Sequence, residues 1–346
     1  MDIVYDDIIY SLQKSGGGSV YWTEITKRLG TKATHYVYDD ATNNFFYKDR
    51  ELINEIKLSS KFLIVKRYLN MKLMKKNPFI FHSSLYRFCK NKTAINITTV
   101  HDFTYEYFRK DLKSILHKIQ KKRAVMHSSG VICISENTKK DLLKFYPKYK
   151  GIIKVIYNGF SDDVFFKEEL TEKRNIILFV GARTDYKRFD LCVEIVERLS
   201  EYKLVIVGGG DLTSEEETLL NMKLENRYEK KGYLNNDELR KLYNEAFFLC
   251  YPSEYEGFGI PIIEAQACGC PVVCQNVSSI PEVSKDTVIY IDSKGNFDEN
   301  IVKISRLFNI DYYAKLVEDG LENTKRFSWD KCAHEVGEFY KEFLEK

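Results

Sequence analysis

IILFVGARTDYKRFDLCVEIVERLSEYKLVIVGGG, residues 176–210, decides the fold. Ile176–Val180 is an unbroken apolar run closed by Gly181, and Leu204–Val207 is a second, running into Gly208-Gly209-Gly210. Between them, Phe189–Leu199 carries its apolar residues at helical spacing. Two wholly apolar strands joined by an amphipathic helix predict a parallel sheet covered on both faces. The alternation continues downstream. Glu238–Tyr243 has helical spacing, Ala246–Tyr251 is apolar, and Pro261 suits the first turn of a helix reaching Cys268. Pro271–Val273 and Val288–Ile291 read as further short strands.

Working upstream, Ile3–Tyr5 reads as a strand, Gly16–Gly18 as a loop and Tyr21–Leu29 as a helix, with later strands at Phe79–His82, Ile95–Val100 and Gly130–Ser135. A strand-like Val155-Ile156-Tyr157 meets Asn158-Gly159, where the pattern restarts. At 346 residues the chain has room for two domains. The expected architecture is α/β, two doubly wound Rossmann-like domains facing across a cleft, spanning 1–158 and 159–327. Ligands of such sheets sit beyond the carboxyl ends of the strands.

Composition narrows the function classes. With 44% hydrophobic and 30% charged residues this is ordinary globular material. No run approaches the roughly 18 apolar residues of a membrane span, and MDIVYDDIIYSLQ lacks the basic and apolar regions of a secretory signal. The eight cysteines sit mostly in apolar runs, as reduced cytosolic thiols do. CGCPVVC (268–274) has no second ligand pair, so a zinc site is not expected. Charge is unevenly spread. Residues 1–160 hold 29 Lys and Arg against 14 Asp and Glu, and the remainder 24 against 36. The first domain should therefore face something anionic.

The chemistry concentrates in YPSEYEGFGIPIIEA, residues 251–265. Glu256 and Glu264 flank a Gly257-Phe258-Gly259 turn, the first on a loop after a strand, the second in the first turn or so of the helix opened by Pro261. Carboxylates so placed can accept the two hydroxyl protons of a sugar or ribose diol. The amides of the turn can face a phosphate. Taken alone, such a pair also suits a solvated loop and a helix start.

This segment resembles the Glu-seven-residues-Glu signature of the retaining GT-B glycosyltransferases of family 4 (glycosyl transferases group 1). Other stretches resemble that family in the same order along the chain. They are Ser15-Gly16-Gly17-Gly18, Val100-His101-Asp102, Cys133-Ile134-Ser135-Glu136, Val155-Ile156-Tyr157-Asn158-Gly159, Val180-Gly181-Ala182-Arg183 with Lys187, and Lys231-Gly232-Tyr233-Leu234. The resemblance implies a donor site in which Arg183 and Lys187 grip the diphosphate, with backbone amides of the Gly16–Gly18 loop adding donors. Glu264 would hold the ribose, Glu256 the transferred sugar, and His101 would contact that sugar. The backbone at Phe258, Gly259 and Ile260 would lie close by, and Tyr233 and Leu234 would line the base. It also implies no cofactor and no metal, and a final helix, about 328–346, packing back on the first domain. Ser11–Gly18 and Phe81–Ser84 resemble O-antigen and capsule mannosyltransferases most, so GDP-mannose is the first donor expected, ahead of a UDP-sugar, and a lipid-linked or surface-polysaccharide glycan the acceptor. Two departures stand out. The glycine loop carries a third glycine, Gly18, and Arg183 and Lys187 are only four apart.

Rival enzymes fit less well. VIVGGGDL has Thr213 where a dinucleotide fingerprint needs its third glycine, and no P-loop motif occurs. A non-catalytic nucleotide-sugar or glycan-binding protein, or a nucleotide-sugar epimerase or phosphorylase, stays open on the same fold. Phe108–Arg123 and Lys61–Lys76 both read as basic amphipathic helices, suited to an anionic membrane surface or to core packing behind a solvated face. A cytoplasmic protein peripheral to the membrane is expected, with no nucleic-acid partner, since no recognition motif accompanies the charge.

Overall fold

The computed structural model describes residues 2–50, 54–169 and 171–343. The chain divides into two compact units. Residues up to Gly159 join those from Trp329 on in one unit, and Phe160–Ser328 forms the other.

The first unit holds seven strands among its described residues, β1 (Asp2–Asp6), β2 (Thr34–Tyr38), β3 (Asn54–Leu58), β4 (Phe79–Ser83), β5 (Ala94–Val100), β6 (Gly130–Cys133) and β7 (Ile152–Val155). They form one sheet in the order β3-β2-β1-β4-β5-β6-β7, every pair parallel. All five residues of β4 are buried, as a strand with helices on both faces requires. The Gly17–Leu29 helix buries Tyr21, Trp22 and Ile25. The Trp329–Lys341 helix packs on it, where Gly337 leaves room for Leu29. Gly130 in β6 likewise admits the rings of Phe339 and Phe343, since a β-carbon there would sit 2.6–2.7 Å from them.

The second unit is a six-stranded parallel sheet, β8 (Ile176–Val180), β9 (Lys203–Val207), β10 (Tyr228–Lys231), β11 (Phe248–Tyr251), β12 (Val272–Gln275) and β13 (Ile289–Ile291), ordered β10-β9-β8-β11-β12-β13. Leu191, Cys192, Ile195 and Val196 of the Phe189–Arg198 helix pack with Ile177, Phe179, Leu204 and Ile206 in one core. Both orders reverse once, beside β1 in the first unit and beside β8 in the second.

Several expectations are corrected. Gly17 and Gly18 are the first two residues of a helix, not loop, with Gly16 as its cap. The strand near the boundary is Ile152–Val155, and residues 156–157 lie outside it. Lys61–Lys76 is no amphipathic helix: only Leu63–Lys66 is helical. Phe108 ends a short helix, Thr104–Phe108, and a new one runs Leu112–Met126 behind an Asp111 cap. Residues 344–346 of the expected final helix lie outside the described residues.

Candidate active site

In the second unit the strand order reverses between β8 and β11, and the crevice at their carboxyl ends is where a doubly wound sheet takes its ligand. Two loops leave from that point, 181–188 after β8 and 252–259 after β11. The Glu254 amide donates to the Tyr186 carbonyl at 2.7 Å and ties them together. Across this junction Lys187 Nζ meets Glu256 Oε1 at 2.5 Å, with the Tyr251 hydroxyl at 3.4 Å. The two side chains are only 16% and 11% exposed. Burial alone would lower the lysine's pKa, but the Glu256 carboxylate, with Tyr251 and Tyr186, outweighs it and holds the ammonium above its ordinary value. The result is a positive charge held in place against the Glu256 side chain.

The Glu256 loop is braced from behind. Its amide donates to Ser278 Oγ at 2.9 Å, and Ser279 Oγ donates to the carbonyls of Glu256 and Phe258 at 2.9 and 3.1 Å. Sequence reasoning missed both serines. Their only signal is Pro281, which marks the start of the Ile280–Ser284 helix but not what precedes it.

Gly259, with φ of +102°, caps the Ile260–Ala267 helix in a conformation that side chains resist, and a β-carbon would also press on Ile262. Phe258 anchors the turn edge-on against Phe327, ring centres 5.5 Å apart. Glu264 is the fifth helical residue, so it stands in the second turn and not in the first. Burial pushes its carboxyl up to about 7, partly offset by the Tyr243 hydroxyl, which donates to it at 3.2 Å.

Arg183 reaches from the 181–188 loop to the one that follows β9. Its Nε pairs with Glu216 at 2.9 Å. Its terminal nitrogens donate to the carbonyls of Gly208, Gly209, Gly210 and Asp211 at 2.7–3.3 Å. The three glycines have φ of +75° to +80°, which only glycine adopts freely, and the guanidinium clamps the loop they form. The triple glycine thus serves this loop. Tyr233 follows β10 and is 58% exposed. Leu234 lines a cavity of about 590 Å³ with Lys203, Glu229 and Lys231, against the Asn236–Glu245 helix.

In the first unit Gly16 caps the Gly17–Leu29 helix, which follows β1 after the short Ile9–Leu12 helix. His101 follows β5 and packs edge-on against Tyr21, ring centres 4.9 Å apart. Burial drives its imidazole down to about 4, Asp102 opposing and Lys121 assisting, so it is neutral near pH 7. Lys121 Nζ fixes that loop, donating to the Asp102 carbonyl at 2.9 Å and pairing with Glu106 at 2.8 Å. Also missed was His82, buried on β4 and bonded to Thr99 at 3.0 Å and to Tyr340 of the final helix at 2.6 Å. The eight cysteines are all free and buried. Among the described residues no group of three His, Cys, Asp or Glu gathers as metal ligands.

Each half of the chain matches a known family. Residues 160–325 match glycosyl transferases group 1, and residues 15–164 match glycosyltransferase family 4. The chain is a glycosyltransferase of this family. An uncharacterized glycosyltransferase of Methanocaldococcus jannaschii is 27% identical to this glycosyltransferase over 344 residues, covering 94% of this chain and 95% of its own. The O-antigen chain mannosyltransferase RfbU of Salmonella typhimurium is 27% identical over 248 residues, 70% of this chain and 69% of that protein. The solved structure of HepE from Anabaena, in complex with UDP-glucose, superposes with a TM-score of 0.75 at 15% identity, over 99% of this chain and 100% of that one. That likeness is one of fold, and the fold is GT-B.

Proposed function

We propose that this glycosyltransferase moves a hexose, mannose first, from a nucleotide diphosphate to a lipid-linked or surface-polysaccharide glycan, with retention and without a metal. The observation that carries the reading is the Lys187–Glu256 pair at the reversal of the second sheet, with Glu264 one helix turn beyond the loop. Lys187 offsets the negative charge that grows on the leaving diphosphate. Glu256 accepts hydroxyl protons of the transferred sugar, and Glu264 those of the ribose. Neutral His101 donates a hydrogen bond without adding charge. The bond from the sugar's anomeric carbon to the diphosphate breaks and one to the acceptor oxygen forms on the same face. The acceptor proton passes to the departing phosphate oxygen. Similarity to an O-antigen mannosyltransferase supports mannose, and the UDP-glucose complex of HepE supports a nucleotide sugar as the donor class.

A melting-temperature screen with GDP, UDP, ADP and their sugar conjugates, with and without EDTA, tests the reading. Stabilisation by GDP and GDP-mannose, unchanged by EDTA, is expected. Stabilisation only by UDP compounds moves the donor, and loss with EDTA overturns metal independence. No shift with any compound moves the protein to the glycan-binding reading.

A further inference from the structure

The Leu112–Met126 helix wears its apolar residues on the outside. Leu112, Ile115, Leu116 and Ile119 are 43–73% exposed, while Ser114, Gln120, Lys121, Ala124 and Val125 face the unit's interior. A helix on a globular domain ordinarily does the reverse. Beside it, Phe62, Ile64, Val65 and Leu69 are each more than half exposed. The two segments form one surface. Gln120 donates to the Arg67 carbonyl at 2.5 Å, and Tyr68 shares a small cavity with Leu116, Ile119 and Arg123. The surroundings are strongly basic. Residues 61–76 contain six Lys and Arg and no acid, and 109–123 contain seven against Asp111 alone. Asp111 is spent capping the helix at the Ser114 amide, and Lys121 is buried against Glu106.

We propose that this face docks on an anionic phospholipid bilayer, its apolar side chains entering the headgroup boundary and its lysines and arginines meeting the phosphates. Charge and polarity together choose the occupant. A second copy meeting the same face would set like charges against one another. A nucleic acid would take the charge but leave eight large apolar side chains against a polar backbone. A bilayer with anionic headgroups satisfies both features at once. The surface contains none of the residues assigned to donor binding, so the proposal stands or falls apart from the sugar-transfer reading.

The test is sedimentation of the full chain with vesicles of phosphatidylcholine alone and of phosphatidylcholine mixed with phosphatidylglycerol. The protein should bind the mixed vesicles and not the neutral ones. A Leu112→Ser/Ile115→Ser pair should weaken that binding at least about tenfold, and Lys113→Glu/Lys122→Glu or raised salt should weaken it as well. All four positions face solvent, so both variants should keep the parent melting temperature. Absence of binding to the mixed vesicles overturns the proposal. So does undiminished binding by the apolar pair, which leaves a polyanion surface only. A dimer that the apolar pair converts to monomer would assign the face to self-association instead.

Discussion

Lys187 and Glu256 are each other's solvent. Removing the lysine leaves a mostly buried carboxylate without its counter-charge, and breaking such a pair costs about 3 kcal/mol. Lys187→Ala should therefore lower both the unfolding midpoint and the transfer rate. Glu256→Ala breaks the same pair and should lower the midpoint as well, but the lysine keeps its place beside the diphosphate, so binding and transfer part company. Single-turnover transfer should fall roughly a hundredfold or more, with nucleotide affinity nearly unchanged by calorimetry. Transfer at the parent rate would remove Glu256 from the site. Glu264 brings a pH dependence of opposite origin. Its folded pKa, about 7, lies above its ordinary value of 4.5. Between those pH values the folded form holds a proton that the unfolded chain has released, so this group costs stability as pH rises through the window, fully above 7. A ribose diol needs the ionised form. Nucleotide binding should then release a proton, and affinity should climb from pH 6 to 8. Glu264→Gln should flatten that slope, measured by calorimetry in buffers of different ionisation heat.

At the scale of elements, the Gly208–Asp211 loop hangs on one side chain. Lysine cannot reproduce the fork with which Arg183 meets several carbonyls and Glu216. Arg183→Lys should cost about 1–3 kcal/mol of stability, seen as a lower denaturation midpoint, with little change in nucleotide affinity. A tenfold loss of affinity at parent stability would instead give Arg183 the diphosphate role that the family resemblance implies. This contrast shows what the chain discloses by itself. Strands with continuous apolar runs, such as 176–180 and 204–207, were legible because burial on both faces demands them. β10 reads Tyr-Glu-Lys-Lys and β3 Asn-Glu-Ile-Lys-Leu, edge strands whose charges guard an open flank and erase the signal. At the site, Lys187 and Glu256 were legible as types and positions, and the structure brings them into contact. The Arg183 clamp and the serine brace were not, because each joins residues more than twenty positions apart through backbone carbonyls and amides, which carry no residue identity. The outward face of the Leu112–Met126 helix was hidden for a similar reason: its periodicity gives the stripe but not the side on which the sheet lies.

Across the whole molecule the two units should answer acid in opposite ways. In the first, burial holds His82 down to about 3 and His101 and His117 down to about 4, Lys121 adding to the effect on the last two. The unfolded chain takes up those protons near 6.5, so their contribution is whole above that pH and is lost as pH falls towards 4. Asp7 does not intervene there. Although burial raises it, Arg50 and His35 bring it to about 2, and it stays ionised throughout. In the second unit, protonation of Glu264 over the same interval relieves a cost. Calorimetric scans near pH 7.5 and pH 5 should therefore show two transitions moving apart, the first unit melting earlier as the solution is acidified. Saturating nucleotide should raise the second unit's transition more than the first's, because a ligand lifts the unit whose folded form binds it. Assignment is direct. A Tyr340→Phe variant loses the buried bond to His82 and should lower only the first unit's transition, by about 1–3 kcal/mol of stability. A single transition that moves as one under acid, nucleotide and Tyr340→Phe would mean that the units unfold as a cooperative whole, its acid response the net of the three histidines and Glu264.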